Sequence, residues 1–160
     1  MSHLLAFYKY DQVTHMEKSR SNCPITYALD IFGDRWSLLI IRDLLLHGKR
    51  HYGAFLNSDE RVATNILADR LVSLERRGLI SKTLDPVDKR RSLYRLTPMG
   101  IDLAPVLIEI IVWSAKYDPA TSVSQQFLQR AESDRESLLK EIQQIAQVVE
   151  SDKQGSDFLT

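Results

Sequence analysis

Residues 63–96 constrain the fold of this chain more than any other stretch, because they place a helix, a helix stop and a hairpin in immediate succession. Leu67, Leu71 and Leu74 recur at intervals of four and three, which puts them on one stripe of a 3.6-residue period. Asn65, Asp69, Val72 and Arg76 fall on the opposite side, with Arg61, Ala68 and Ser73 flanking them. Arg76 and Arg77 suit the negative end of the helix dipole, and Gly78 supplies a residue that tolerates a left-handed stop. Leu79–Leu84 then reads as a short strand and Asp85-Pro86 as a turn. Asp88-Lys89-Arg90-Arg91 forms a basic tip, and Leu93–Leu96 is the returning strand. A helix followed at once by a hairpin with a cationic tip is the outline of a winged helix-turn-helix. In that arrangement the helix enters a major groove of DNA and the tip approaches the neighbouring backbone or minor groove.

The flanking segments extend this outline to a mostly α fold with a small β-hairpin wing, a winged helix-turn-helix with additional N- and C-terminal dimerisation helices. Residues 4–16 show no sustained period and read as an N-terminal arm or short helix. Pro24 sits in the first turn of a helix carrying Tyr27, Ala28, Ile31 and Phe32, which Gly33 stops. Asp34-Arg35 opens a second helix over 36–46, apolar nearly all round and therefore buried, and Gly48 ends it. Residues 49–57 read as a short helix with Tyr52, Phe55 and Leu56 inward, the first of the helix-turn-helix, and 58–62 as its turn. After the wing, Thr97-Pro98 is an N-cap with proline at the first helical position, and Pro105 predicts a kink or an irregular first turn in the helix running to Tyr117. Phe127, Leu128, Leu138, Leu139, Ile142, Ile145, Ala146 and Val149 mark a further helical region, in which Leu139, Ile142, Ala146 and Val149 follow a 3-4-3 spacing. These helices either pack back on their own domain or form an interface with an identical chain, and the amount of apolar surface favours the second. The chain therefore divides into an arm at 1–22, a winged-helix domain at 23–117, and a helical extension with a polar tail at 118–160.

Composition excludes several classes. The apolar fraction of 44% and charged fraction of 26% are those of a soluble globular protein, long enough at 160 residues to bury a core without metal or disulfides. The first ten residues lack a basic segment followed by a sustained apolar run, so no signal peptide is expected. The apolar run 103–113 is interrupted by Glu109 and reads as too short to cross a bilayer, so no membrane partner is expected. One cysteine rules out an internal disulfide framework and fits a reducing cytoplasm. Net charge is zero, yet residues 35–95 hold 13 Lys/Arg against 7 Asp/Glu while 118–160 holds 4 against 8. A basic middle between acidic ends is compatible with a DNA face. His47 and His51 lie four apart but Gly48 separates them and no third ligand is evident, so no metal and no cofactor are expected. No nucleophile-elbow, phosphate-loop or dinucleotide pattern occurs, and an enzyme is not expected.

Several motifs, in order, resemble the HxlR-type transcriptional regulators. They are the run from Cys23-Pro-Ile-Thr-Tyr through Gly33-Asp-Arg-Trp-Ser to Leu46, then Arg50-His-Tyr-Gly-Ala-Phe-Leu56 and Ala63-Thr-Asn-Ile-Leu-Ala-Asp-Arg-Leu71, then Leu74-Glu75, Gly78-Leu-Ile80 and Tyr94-Arg-Leu-Thr-Pro-Met-Gly100. The resemblance covers about two-thirds of the chain. It implies a homodimeric winged-helix protein that binds an operator and represses or activates nearby genes. The tip Asp85-Pro-Val-Asp-Lys-Arg-Arg91 looks more like the wing of MarR-type regulators, and the extension after Tyr117 is longer than the family core needs. Cys23-Pro24 is similar to the Cys-Pro of HxlR-type regulators that sense oxidants or electrophiles. A thiol just ahead of a helix would have its thiolate favoured, and any disulfide would join two chains; the alternative is an inert thiol kept for packing.

Thr64, Asn65 and Asp69 are the candidates for reading base edges, with Ala68 for thymine-methyl contact, against an ordinary solvated helix face. Arg61, Arg70, Lys49, Arg50, His51 and Tyr52 are phosphate candidates, and Lys89, Arg90 and Arg91 are the wing's cations, against a solubilising turn. The reading is sequence-specific binding of double-stranded DNA by a homodimer, on an inverted repeat with half-sites about one helical turn apart. The alternative is a dimeric protein-interaction module that keeps the winged helix as scaffold. An unknown small-molecule effector could also bind beneath Trp36 and Trp113.

Overall fold

The computed structural model describes residues 21–147. The expected arm at 4–16, Val149 and the tail at 151–160 lie outside the described residues. Helix α1 spans Pro24–Phe32 and stops at Gly33, whose N–H donates to the Leu29 carbonyl at 2.8 Å. Helix α2 spans Ser37–Leu45. Asp34 caps it, its carboxylate accepting from the backbone N–H of Trp36 (2.8 Å) and Ser37 (3.0 Å) and from the Ser37 hydroxyl (2.5 Å). Ile40, Ile41, Leu44, Leu45 and Leu46 are all buried, so α2 is the spine its composition required.

Gly48 ends α2 at φ +63°. The next three residues correct the expected helix over 49–57. Lys49, Arg50 and His51 lie outside any helix, His51 with extended backbone, and the helix α3 covers only Tyr52–Leu56. The reason is long-range: the Arg50 carbonyl accepts from the Tyr94 N–H at 2.8 Å, so this segment lies along the wing. Helix α4 spans Thr64–Arg76 with Leu67, Leu71 and Leu74 buried, and Gly78 stops it at φ +77°. Strands β1 (Ile80–Leu84) and β2 (Ser92–Leu96) pair antiparallel, from Ile80 opposite Leu96 to Leu84 opposite Ser92.

The helix expected from Thr97 divides at Asp102–Leu103 into α5 (Pro98–Ile101) and α6 (Ala104–Tyr117), with Pro105 in the first turn of α6. The Thr97 hydroxyl accepts from the Gly100 N–H at 3.2 Å. By length and composition Pro98–Tyr117 could cross a bilayer, against the expectation from the shorter run. Its Ala104, Leu107 and Ile108 are instead buried in the core shared with α2 and the hairpin.

Gly100 marks a close approach in this region. A Cβ there would lie 2.2 Å from the Leu79 carbonyl oxygen and 2.9 Å from Leu96 Cδ2. Gly100→Ala is therefore expected to destabilise the fold by about 1–3 kcal/mol in urea unfolding. Gly53→Ala, where a Cβ would meet nothing within 4 Å, should be neutral or stabilising.

Helices α7 (Gln125–Ser133) and α8 (Arg135–Gln147) overturn the preference for an interface in this region. Phe127, Ala131, Leu138, Ile142 and Ala146 are buried within the chain, and α8 packs on α2, α6 and β2. Their apolar stripes complete the domain's own core. The Arg130–Glu141 pair at 2.7 Å joins α7 to α8, and Arg135–Glu109 at 2.6 Å joins α8 to α6.

Candidate nucleic-acid interface

The turn before α4 fixes how that helix is presented. Asp43, 3% exposed inside α2, is the hub. Its carboxylate accepts from the Ser58 hydroxyl (2.6 Å), from Lys49 Nζ (3.0 Å) and from the Arg42 guanidinium (2.7 and 3.1 Å). Lys49 Nζ also donates to Ser58 Oγ at 2.7 Å, and Arg42 grips both carboxylate oxygens of Glu60 at 2.5 and 3.1 Å. The network spans α2, the turn and the segment before α3, satisfying every charge it buries. It holds Arg61 in the left-handed region at φ +52°, a conformation that a residue with a Cβ adopts only when its surroundings impose it. The Arg42 guanidinium keeps the Glu60 carboxyl well below its ordinary range, at about 2.

Past this brace, α4 turns Thr64, Asn65, Ala68 and Asp69 outward, and all four are exposed on one face. The Tyr52 hydroxyl donates to the Thr64 carbonyl at 2.7 Å, tying α3 to the start of that face. Arg70 bridges Asp69 and the α2 cap Asp34, so it steadies the reading helix while standing beside it.

The wing is organised by Asp85. Its carboxylate accepts from the N–H groups of Val87 (2.7 Å) and Asp88 (3.1 Å), which together hold its pKa below the usual carboxylate range. Its own N–H donates to the Arg91 carbonyl at 3.0 Å and closes the turn. Lys89, Arg90 and Arg91 are exposed at the tip, with the Arg90 Nε donating to Asp88 at 3.0 Å. An open cleft of about 460 Å³ separates tip and helix, lined among others by Ala68, Val72, Glu75, Lys82, Arg90 and Arg91.

The structure thus brings together Thr64, Asn65, Ala68 and Asp69 on one face, with Arg61 at its start and the wing's Arg90 and Arg91 across the cleft. It gives four other candidates structural bonds. Lys49 is held by Asp43 and Ser58. Arg50 donates to the carbonyls of Leu44 (2.5 Å) and Lys49 (2.9 Å), and burial, with the nearby Arg95 charge, lowers its pKa. Tyr52 spends its hydroxyl on Thr64. His51 faces the wing, with Nδ1 3.1 Å from the Ser92 carbonyl and Nε2 3.3 Å from Asp85.

The expected pocket beneath two tryptophans is not formed. Trp36 lines a cavity of about 20 Å³ beside Phe55 and Leu67, room for little more than a single water, whereas Trp113 is exposed on α6 and tilts against Tyr117 at 5.4 Å. Cys23 is exposed just before α1, and the N–H groups of Thr26 and Ile25 lower its thiol pKa.

The residues that sequence reasoning passed over are Asp43, Ser58 and Asp85, the buried and turn-forming polar groups. A lone carboxylate inside Leu38-Leu39-Ile40-Ile41-Arg42-Asp43-Leu44-Leu45-Leu46 was the available signal, because an acid in so apolar a helix must have a buried partner.

Known proteins share this architecture. Residues 31–122 match the family model of HxlR-like helix-turn-helix proteins. The uncharacterised HTH-type transcriptional regulator sll1512 of Synechocystis is 36% identical over 86 residues, which take in 54% of this chain and 63% of that protein. The crystal structure of PA1607, assigned as a transcription factor, superposes with a TM-score of 0.60 at 34% identity, over 69% of this chain and 75% of that one. The transcriptional regulator YodB of Bacillus subtilis, in its reduced form, gives a TM-score of 0.51 at 25% identity over 63% of this chain and all of that one. These relatives are regulators of transcription and not enzymes.

Proposed function

From the chain's membership in the HxlR-like helix-turn-helix family, which makes it a transcriptional regulator and not an enzyme, we infer that it binds a specific double-stranded DNA operator as a homodimer in the cytoplasm. The observation that carries this reading is the exposed row Thr64, Asn65, Ala68 and Asp69, set behind a turn that Asp43 braces, with Ala68 lining the cleft that Arg90 and Arg91 wall from the wing. Side chains of these types read base edges and a thymine methyl, while Arg61, Lys89, Arg90 and Arg91 supply phosphate contacts that set register and affinity.

A second copy would cover the apolar residues left outside. Ile25 and Leu29 on α1 and Val106, Ile110, Trp113 and Tyr117 on α6 are exposed, unlike the stripes of α7 and α8. Pairing through these helices would present two α4 helices to successive major grooves, so the operator should be an inverted repeat with half-sites about one turn apart.

Cys23 gives the regulator a route to an oxidant or electrophile. Its thiol is exposed and its thiolate favoured by the first N–H groups of α1, and α1 is one of the two helices assigned to the dimer. A disulfide or adduct there would alter the separation or tilt of the two reading helices.

Fluorescence anisotropy on DNA from the gene's own upstream region, titrated across salt beside a scrambled control, tests the reading. Selective binding that weakens steeply with salt is expected, and an oxidant should change it in the native chain but not in Cys23→Ser. Binding absent even at low salt would overturn it and leave a protein-interaction module in its place.

A further inference from the structure

We infer that Asp69 reads the exocyclic amino group of a cytosine in the operator's major groove, and that Arg70 is the positioning residue that aims its carboxylate. The inference rests on the DNA-binding reading above, to which it adds the identity of one base. Asp69 stands opposite the buried stripe of Leu67, Leu71 and Leu74, one helical turn on from Asn65, and its side chain is 66% exposed. It is the one acid in the row Thr64, Asn65, Ala68 and Asp69. An acid in the middle of a face that meets a polyanion is repelled by phosphate. It suits that place only if its charge is offset and its free oxygen finds a donor.

Arg70 supplies the offset through a chain of bonds that starts in α2. Asp34 is fixed first: its Oδ1 accepts from the backbone N–H groups of Trp36 and Ser37, and its Oδ2 accepts from the Ser37 hydroxyl. Arg70 Nη1 reaches the same Oδ2 at 3.3 Å and anchors the guanidinium to the start of α2. Its Nε, at 3.1 Å, and its Nη2 both donate to Asp69 Oδ2. Both bonds fall on one oxygen. Among the described residues none donates to Asp69 Oδ1, so that oxygen keeps its full capacity to accept. The planar fork of the guanidinium thus fixes the carboxylate by one oxygen, sets a positive charge beside it and leaves the other oxygen open.

The open oxygen can only accept, and this selects among base edges. In the major groove guanine shows two acceptors, N7 and O6, and thymine shows the O4 acceptor beside a methyl group, so both repel a carboxylate. Adenine offers an amino group flanked by the N7 acceptor, a pattern that suits an amide such as that of Asn65. Cytosine presents an amino donor with no acceptor beside it on its own edge. An acceptor brought against an acceptor in the groove leaves both desolvated and unpaired, so the wrong base is penalised as well as the right one favoured.

Anisotropy on a series of duplexes reads this, each carrying the operator from the gene's own upstream region with one base pair of a half-site changed. At one C·G pair every change should weaken the native chain about tenfold. Asp69→Ala should bind all base pairs at that position alike and keep the native preferences elsewhere. Arg70→Ala should lose most of the preference at the same pair. Arg70→Lys, which keeps the charge without the fork, should not restore it. These are ratios within one protein, so a change in the folded fraction cancels. A uniform loss in Arg70→Ala on every duplex, with the salt slope reduced by about one and rescue by lysine, would make Arg70 a phosphate contact and overturn its positioning role. Native preferences kept at every pair in Asp69→Ala would overturn the inference while leaving DNA binding standing. Absence of selective binding by the native chain would overturn the DNA-binding reading, and the assignment of the base with it.

Discussion

Asp43→Ala is expected to cost the fold about 3 kcal/mol in urea or thermal unfolding, more than any single change on the DNA-facing surface. The carboxylate is 3% exposed and accepts from Ser58, Lys49 and Arg42, so its loss leaves Arg42 with Glu60 alone and the Lys49 charge with no carboxylate partner, only the Ser58 hydroxyl. Asp43→Asn should lose less, because the amide oxygen still accepts from Ser58 while the ion pairs weaken. The same brace carries a pH signature. Glu60 is held at about 2 by Arg42 in the folded chain, well below its ordinary value. A lowered carboxylate contributes stability that is complete above the unfolded value and is lost as pH falls through the folded one. Stability should therefore decline on acidification through the acid range toward pH 2, and Glu60→Gln should flatten that decline. If Asp43→Ala melts like the native chain, the buried network does not hold the turn.

The brace also shows where the sequence could and could not be read. Helix α4 and the hairpin were legible because their signals are local: three leucines at helical spacing, a glycine stop and a turn pair between two short apolar runs. The split at Asp102–Leu103 followed from Pro105 in the same way. What failed depended on distant partners. Residues 49–51 look like the start of a helix until Tyr94 takes the Arg50 carbonyl. Lys49 and Arg50 look like free cations until Asp43 and the Leu44 carbonyl claim them. Periodicity in α7 and α8 revealed an apolar stripe but not whether α2 of the same chain or a second copy would cover it. The exposed reading face was legible for the opposite reason, since Thr64, Asn65, Ala68 and Asp69 form no part of the core and needed only the helix phase to be placed.

The wing offers the largest expected change in DNA affinity. Replacing Lys89, Arg90 and Arg91 together by alanine should weaken binding about 10- to 100-fold at moderate salt, on operator and scrambled DNA alike. Each phosphate that the tip no longer neutralises keeps about one counterion that binding would otherwise release, so the slope of log affinity against log salt should shrink by about two to three. The ratio of operator to scrambled affinity should stay nearly constant, because the tip supplies charge and the face of α4 supplies discrimination. Folding should be unaffected. The side chains are exposed, the Arg90–Asp88 pair is a surface interaction of little consequence, and the turn is held by the Asp85 carboxylate and the Arg91 backbone carbonyl, which alanine retains. Asn65→Ala supplies the contrast: it should lower the ratio of operator to scrambled affinity and leave the salt slope where it was. Anisotropy titrations at several salt concentrations separate the two. A triple variant with the native slope would remove the wing from the interface, and an unchanged ratio in Asn65→Ala would remove that side chain from base reading.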